Sequence, residues 1–179
     1  MREFRDDQGR PWQVALTVAA AMRVKDNVTV DIEGEKKPFD IVDVASISTT
    51  MQVLRGQYTT LAEALYFVLV AQVNAKGLTK EQFLDGLRGD ALDAGAKALE
   101  GELIDFFPER LRRMVGLLAA KMDEAAAELM AKAEKAMAEA TTADLLEASG
   151  MPSTRPQESS DAIPESGHSE SLSPHATAA

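Results

Sequence analysis

The chain has 179 residues, 45% of them hydrophobic, with 19 Lys and Arg against 29 Asp and Glu, a formal net charge of −10. That balance disfavours general binding to a phosphate backbone, and the absence of cysteine removes disulfides, thiolate metal sites and cysteine nucleophiles. Both histidines, His168 and His175, stand close to the C-terminal end, so the segment expected to fold lacks the commonest general base and metal ligand, and the composition points to action through a surface rather than catalysis.

Arg2 to Asp6 and Trp12 to Leu16 alternate in hydrophobicity around Asp7-Gln8-Gly9-Arg10-Pro11, a pattern that predicts a hairpin. Thr17 is placed to cap a short helix from Val18 to Lys25, with Val18, Ala21 and Met22 on one face. The β-branched run Val28 to Ile32 predicts a third strand, and Glu33 to Pro38 a loop. Between Phe39 and Gln57 the pattern is weaker; helices are expected across Ile41 to Ala45 and around Thr50 to Arg55.

From Thr60 the chain turns helical. Thr60 and Glu63 stand at capping-box spacing at the head of a helix expected to reach Lys76 and stop at Gly77. Its apolar run, Leu65 to Val70, points to every side of a helix, the signature of a segment buried on most sides. A second capping box, Thr79 with Gln82, opens a short helix to Leu87. Asp90 starts another, to Phe107, with Leu92, Ala96, Leu99, Leu103 and Phe106 as an apolar stripe. Pro108 suits position N1 of a long helix reaching about Ala140. Along it Leu111, Val115, Leu118, Met122, Leu129, Ala133 and Ala136 keep to a narrow arc, opposite Glu109, Arg113, Asp123, Glu124, Glu128, Glu134 and Lys135. A short helix from Thr142 to Ser149 is expected to follow.

The segment from Met151 to Ala179 is rich in Ser, Pro, Glu and Ala, and its only large apolar residues after Met151 are Ile163 and Leu172. It has too little apolar surface to offset its ordering entropy and is expected to be disordered; a short partner motif around Ile163 or Leu172 is the alternative. The expected organisation is therefore one α+β domain over 1–150, mainly α, followed by a tail over 151–179. A small N-terminal β-containing part (1–38), either a hairpin or a three-stranded unit, packs on a helical bundle (39–150) that ends in the long helix. The N-terminal residues show no apolar run of the kind a secretory signal needs, and the longest apolar run, Ala64 to Ala71, falls far short of the ~20 residues that span a bilayer. A cytoplasmic protein is expected.

Motifs for chemistry are sparse. Gly95 to Gly101 lacks the Lys-Ser/Thr of a phosphate-binding loop, and Gly86, Gly89 and Gly95 are mis-spaced for a dinucleotide fingerprint. Asp85, Asp90 and Asp93 lack calcium-loop spacing and suit helix-terminal charges, which leaves a carboxylate enzyme using Asp85, Asp90 and magnesium as the weakest reading. No catalytic, cofactor-binding or metal-binding residue is assigned. Arg110, Arg112 and Arg113 form the one dense basic cluster, suited to a solvated helix start or an acidic partner. Flexible thioethers suit adaptable apolar contacts, so the candidate partner-binding residues are Leu111, Met114, Leu118, Met122, Leu129, Met130 and Met137.

Phe4-Arg5-Asp6-Asp7-Gln8-Gly9-Arg10-Pro11-Trp12-Gln13-Val14 resembles the F-x-D-x-x-G-R-x-W-x-V opening of small proteins from phage and prophage-like gene clusters. Gly77 to Phe83, Gly89-Asp90-Ala91-Leu92 and Phe106-Phe107-Pro108 resemble their later half. The family is that of the tail assembly chaperones of long-tailed phages, matched in order of elements over roughly 1–125. Asp31 to Tyr58 departs from its pattern. The resemblance implies a chaperone in the host cytoplasm that binds the helical tape-measure protein before tail-tube subunits polymerise around it, with the tail-tube protein as a second partner and no cofactor, nucleic acid or membrane. A homo-oligomer fits as well. The other reading of the same residues is a non-enzymatic helical adaptor or regulator that dimerises through the Leu111 to Ala136 stripe.

Overall fold

The computed structural model describes residues 1–32 and 34–139. The fold is α+β and mainly α. In order along the chain are β1 (Arg2–Arg5), β2 (Pro11–Val14), α1 (Val18–Asn27), β3 (Thr29–Ile32), β4 (Glu35–Pro38), α2 (Ile47–Gly56), α3 (Tyr58–Ala75), α4 (Lys80–Asp85), α5 (Asp90–Phe106) and α6 (Glu109–Glu139). Two compact units divide the chain, Met1–Ala131 and Lys132–Ala179; in the second, residues 132–139 are described and are helical. The helix expected over Thr142 to Ser149 and the tail from Met151 lie outside the described residues.

The first hairpin forms as its alternation predicts. β1 and β2 pair antiparallel with Phe4 opposite Trp12, and Phe4, Trp12 and Val14 are buried on the inner face. The turn is organised by the carboxylate of Asp6, whose side chain is fully buried. It accepts from the backbone N–H of Gln8 and Arg10 at 3.1 and 2.9 Å, from Arg10 Nε at 2.6 Å and from Trp12 Nε1 at 2.9 Å. A buried carboxylate with four donors costs little of the desolvation that an unpaired one would.

Small residues then let this hairpin seat closely. A Cβ at Gly95 of α5 would lie 2.9 Å from Leu65 Cδ1 of α3 and 3.4 Å from the Phe4 ring, so an added methyl would push on Leu65 while glycine lets both pack directly on α5. Gly86, just after α4, does the same for the turn: a Cβ there would stand 2.6 Å from an Arg10 guanidinium nitrogen, and the Gly86 carbonyl accepts from Asp7 N at 3.0 Å. These glycines, considered above for phosphate and dinucleotide loops, serve packing.

The third strand exists but does not join the first sheet. β3 pairs antiparallel with β4, from Thr29 opposite Pro38 to Ile32 opposite Glu35, so there are two two-stranded sheets and part of the segment expected as a loop, Glu35–Pro38, is a strand. Glu-Lys-Lys-Pro is exposed throughout and carries no alternation to announce it; β3 supplies its ladder. The helix expected across Ile41 to Ala45 is replaced by turns and a single 3₁₀ turn, Val44–Ser46. Here Asp43 accepts from Ala45 N at 3.0 Å and Ser46 Oγ at 2.8 Å, local bonds that compete with helix.

In α1 Thr17 Oγ1 accepts from Ala20 N as expected, but the buried face is Ala20, Ala21 and Val24. Val18 and Met22, expected inside with Ala21, are 64% and 60% exposed. The alanines permit a close crossing over α3, where Arg23 Nε donates to the Phe67 carbonyl at 3.1 Å.

Helix α3 is the centre of the core: Leu61, Leu65, Leu69 and Val73 are essentially inaccessible, with Ala64 and Val68 beside them. It starts at Tyr58, so Thr60 lies inside it and donates to Gln57 Oε1 at 3.2 Å rather than forming the expected box with Glu63. The Thr79–Gln82 box at α4 is present in both halves, at 3.2 and 2.9 Å. That helix stops at Asp85, short of Leu87. In α5 Leu99 and Leu103 are buried, while Leu92, Ala96 and Phe106 of the expected stripe are half-buried against the core. Pro108 precedes α6 and its carbonyl accepts from Arg112 N at 2.9 Å, so it stands one position before the expected N1.

Candidate functional site

Two sides of α6 differ in what covers them. Val115 and Ala119 are buried, and Leu111, Leu118 and Met122 are half-buried against the core. This inner side is held by Arg55 of α2. Its guanidinium makes a two-nitrogen contact with the Glu100 carboxylate of α5, the Nε bond being 3.0 Å. It also reaches Asp123 Oδ1 at 3.0 Å and the Ala119 carbonyl at 3.3 Å. Three helices thus meet on one planar cation, the geometry Arg suits and Lys does not. The Glu100 hydrogen bond, against the opposing effect of burial, holds the Arg55 pKa above its ordinary value. Asp123, expected on the outer side of α6, makes this contact with its side chain still 75% exposed.

Past Asp123 the cover ends. Every described residue from Asp123 to Met137 is exposed, including Leu129 at 67% and Met130 at 70%. At 100° per residue Ala126, Leu129 and Met130 continue the side that Val115, Ala119 and Met122 present to the core. Of the candidate partner-binding residues, Leu111, Leu118 and Met122 are therefore taken up by packing, while Met114, Leu129 and Met130 are accessible. Met137, in the second unit, is exposed as well. Of the predicted stripe, Leu129 in the first unit and Ala133 and Ala136 in the second are exposed.

Two accessible apolar residues escaped the sequence reading. Leu117 is 66% exposed and lies one turn from Met114; its i, i+3 spacing from that methionine was the available signal. Tyr58, 62% exposed, flanks a groove of about 420 Å³ between the start of α3, α4 and α5, where Ala62, Leu84, Leu87 and Leu92 also contribute. Nothing in the sequence brings those three segments together.

The acidic trio is dispersed into helix-end charges. Asp85 lies 3.6 Å from Arg88 and Asp93 2.7 Å from Lys97, each an exposed pair, while Asp90 stands in the first turn of α5. Among the described residues no group of three or more His, Asp or Glu side chains is placed to hold a metal ion. The Arg cluster divides: Arg113 contacts Glu109 at 3.5 Å and Arg112 donates to the Asp105 carbonyl at 3.2 Å.

The chain matches no protein-family model, no curated protein and no solved structure. Among the described residues no helix is long and apolar enough to cross a membrane.

Proposed function

We propose that this chain is a tail assembly chaperone of the long-tailed phage type, which binds the helical tape-measure protein and keeps it soluble while the tail is built. The observation that carries the proposal is the uncovered continuation of the inner side of α6, with Leu129 and Met130 in solvent. A helical client with an apolar stripe needs such a partner surface, engaged through i, i+3 and i+4 anchors. Thioethers adapt to varied client side chains, and the net charge of −10 keeps loaded complexes apart. The motif resemblance over roughly 1–125 supports the same reading.

The test is co-expression with the long helical tape-measure product of the same gene cluster. The expected result is a client that moves to the soluble fraction and co-purifies, and that returns to the pellet with a Leu129→Asp, Met130→Asp variant. A client that stays insoluble beside the unaltered chain, with no co-purification, overturns the proposal.

A further inference from the structure

The outer side of the first half of α6 has no part in that reading. Arg110, Arg113, Met114, Leu117 and Lys121 recur at i, i+3, i+4, i+7 and i+11 and so share one side of the helix. All five are exposed. Two apolar side chains are thereby framed by three cations, of which Arg113 contacts the exposed Glu109 one turn back. Farther along the same side the sign reverses, at Glu124 and Glu128.

The groove beside Tyr58 has the complementary character. Tyr58, Ala62, Leu84 and Leu92 give it an apolar lining with Glu63 as its charged residue, and an adjoining hollow that shares Tyr58 and Leu92 carries Asp93; among the described residues no Lys or Arg lines either. Each carboxylate holds one lysine, Lys80 at 2.9 Å and Lys97 at 2.7 Å. The Asp93–Lys97 pair is exposed and therefore weak, whereas the Glu63–Lys80 pair is partly buried, with Lys80 also over the Tyr66 and Phe67 rings, and leaves the Glu63 side chain 42% exposed.

We propose that this groove receives the outer side of α6 from a second copy of the chain, Met114 and Leu117 entering beside Tyr58, Leu84 and Leu92 while Arg110, Arg113 and Lys121 meet Glu63 and Asp93. A molecule with net charge −10 repels its own kind, and a contact that pairs opposite signs locally offsets that repulsion. These two surfaces do so, and both also offer exposed apolar residues. Glu124 and Glu128 fix the register, because sliding the helix farther would set carboxylate against carboxylate. The two surfaces are different, so the contact is heterologous and can repeat from copy to copy. Leu129 and Met130 project from another side of α6 and stay free for a client.

Sedimentation equilibrium of the full chain, with no client present, tests this. The expected result is a mass that rises with concentration. It is weakened about tenfold or more by Arg110→Glu with Arg113→Glu, and equally by Glu63→Lys with Asp93→Lys. Mixing the two charge-reversed variants restores association between them, and Leu129→Asp leaves it unchanged. Should a reversed variant fail to fold, Leu117→Ser and Tyr58→Ala, both at exposed positions, weaken association by the same route. A monomer at every concentration up to about 100 μM overturns the proposal. So does association indifferent to both reversals, or association lost in Leu129→Asp, which would place the contact on the inner side of α6.

Discussion

The indole of Trp12 stands edge-on to the ring of Phe83, with centroids 4.9 Å apart and planes at 84°. Both residues are fully buried. Each belongs to one of the two motifs that carry the resemblance, so those motifs meet in space as one packing unit. Phe4, Asp6, Arg10, Trp12 and Val14 of the first motif all have interior or turn-binding roles. The second sets Phe83 beneath them from a capped helix, and Arg10 reaches across to the Gln82 carbonyl at 3.3 Å. What the motifs encode is how a hairpin seats on α4, a fold signature rather than a binding site.

Asp6 is the keystone of that seating, and its removal should be costly. Asp6→Ala strands the buried indole N–H and two backbone N–H groups that its carboxylate now satisfies. The expected loss is ~2–4 kcal/mol, from unsatisfied buried donors and a broken Arg10 pair. Urea unfolding followed by the fluorescence of the single tryptophan measures it. A loss within ~0.5 kcal/mol, the range of ordinary surface substitutions, would show that the site is not structural.

The same carboxylate gives the protein an acid limb. Burial pushes the Asp6 pKa up, but the hydrogen bonds from Trp12 and Arg10 outweigh it and hold the group below its ordinary 3.8. A folded pKa below the unfolded one means stability that is fully present above the unfolded value and is lost as pH falls through the folded one. Stability should therefore decline below about pH 4. Asp6→Asn, although less stable at neutral pH, should show a flatter decline over that window. Equal slopes in the two proteins would assign the acid limb to other carboxylates.

How far the sequence announced this arrangement depends on whether a residue's neighbours are near in the chain. The Thr17 cap, the Thr79–Gln82 box and the Phe4–Trp12 hairpin rest on contacts a few residues apart, and each is present. Strand β4 has no pattern of its own and exists through its partner, so it was not legible. In α6 periodicity predicted one continuous apolar side but could not tell that Val115 and Ala119 find cover while Leu129 and Met130 do not. Cover depends on where α2 and α5 lie, a matter of tertiary contact. The groove lined by Tyr58, Leu84 and Leu92 was invisible for the same reason.

Two helical glycines should respond oppositely to a methyl group. Around Gly116 of α6 nothing lies within 4 Å of an added Cβ, so Gly116→Ala should stabilise by ~0.5–1 kcal/mol through the lost freedom of the unfolded chain. At Gly95 the methyl would meet Leu65 Cδ1 at 2.9 Å, and Leu65 is fully buried, so its side chain would have to shift within the core. Gly95→Ala should destabilise by ~1–3 kcal/mol. Thermal or urea melts of the two variants give the comparison, and the same sign in both would refute the close approach of Leu65 of α3 to α5.

Along the inner side of α6, position should decide outcome. Leu129→Asp and Met130→Asp change exposed residues and should leave stability within ~0.5 kcal/mol while removing client binding. Val115→Asp places a charge where the side chain is 1% exposed and should unfold the domain or cost at least ~3 kcal/mol. Paired melts and client pull-downs separate the two roles. Retained client binding in the Leu129 and Met130 variants would move the client site elsewhere.

Arg55 should prove harder to replace than its charge suggests. Arg55→Ala leaves Glu100, only 15% exposed at the side chain, without its cation and frees Asp123 and the Ala119 carbonyl. The expected cost is ~2–4 kcal/mol. Arg55→Lys restores the charge but offers a single ammonium where a planar fork now serves two helices besides its own, so it should recover less than half of the loss. The clamp joins α2 to α5 and α6, so both variants should raise hydrogen exchange at the amides around Ala119 to Asp123 before global unfolding. Full rescue by lysine, or exchange in that stretch no faster than in the parent chain, would mean that apolar packing at Val115 and Ala119 holds α6 without the clamp.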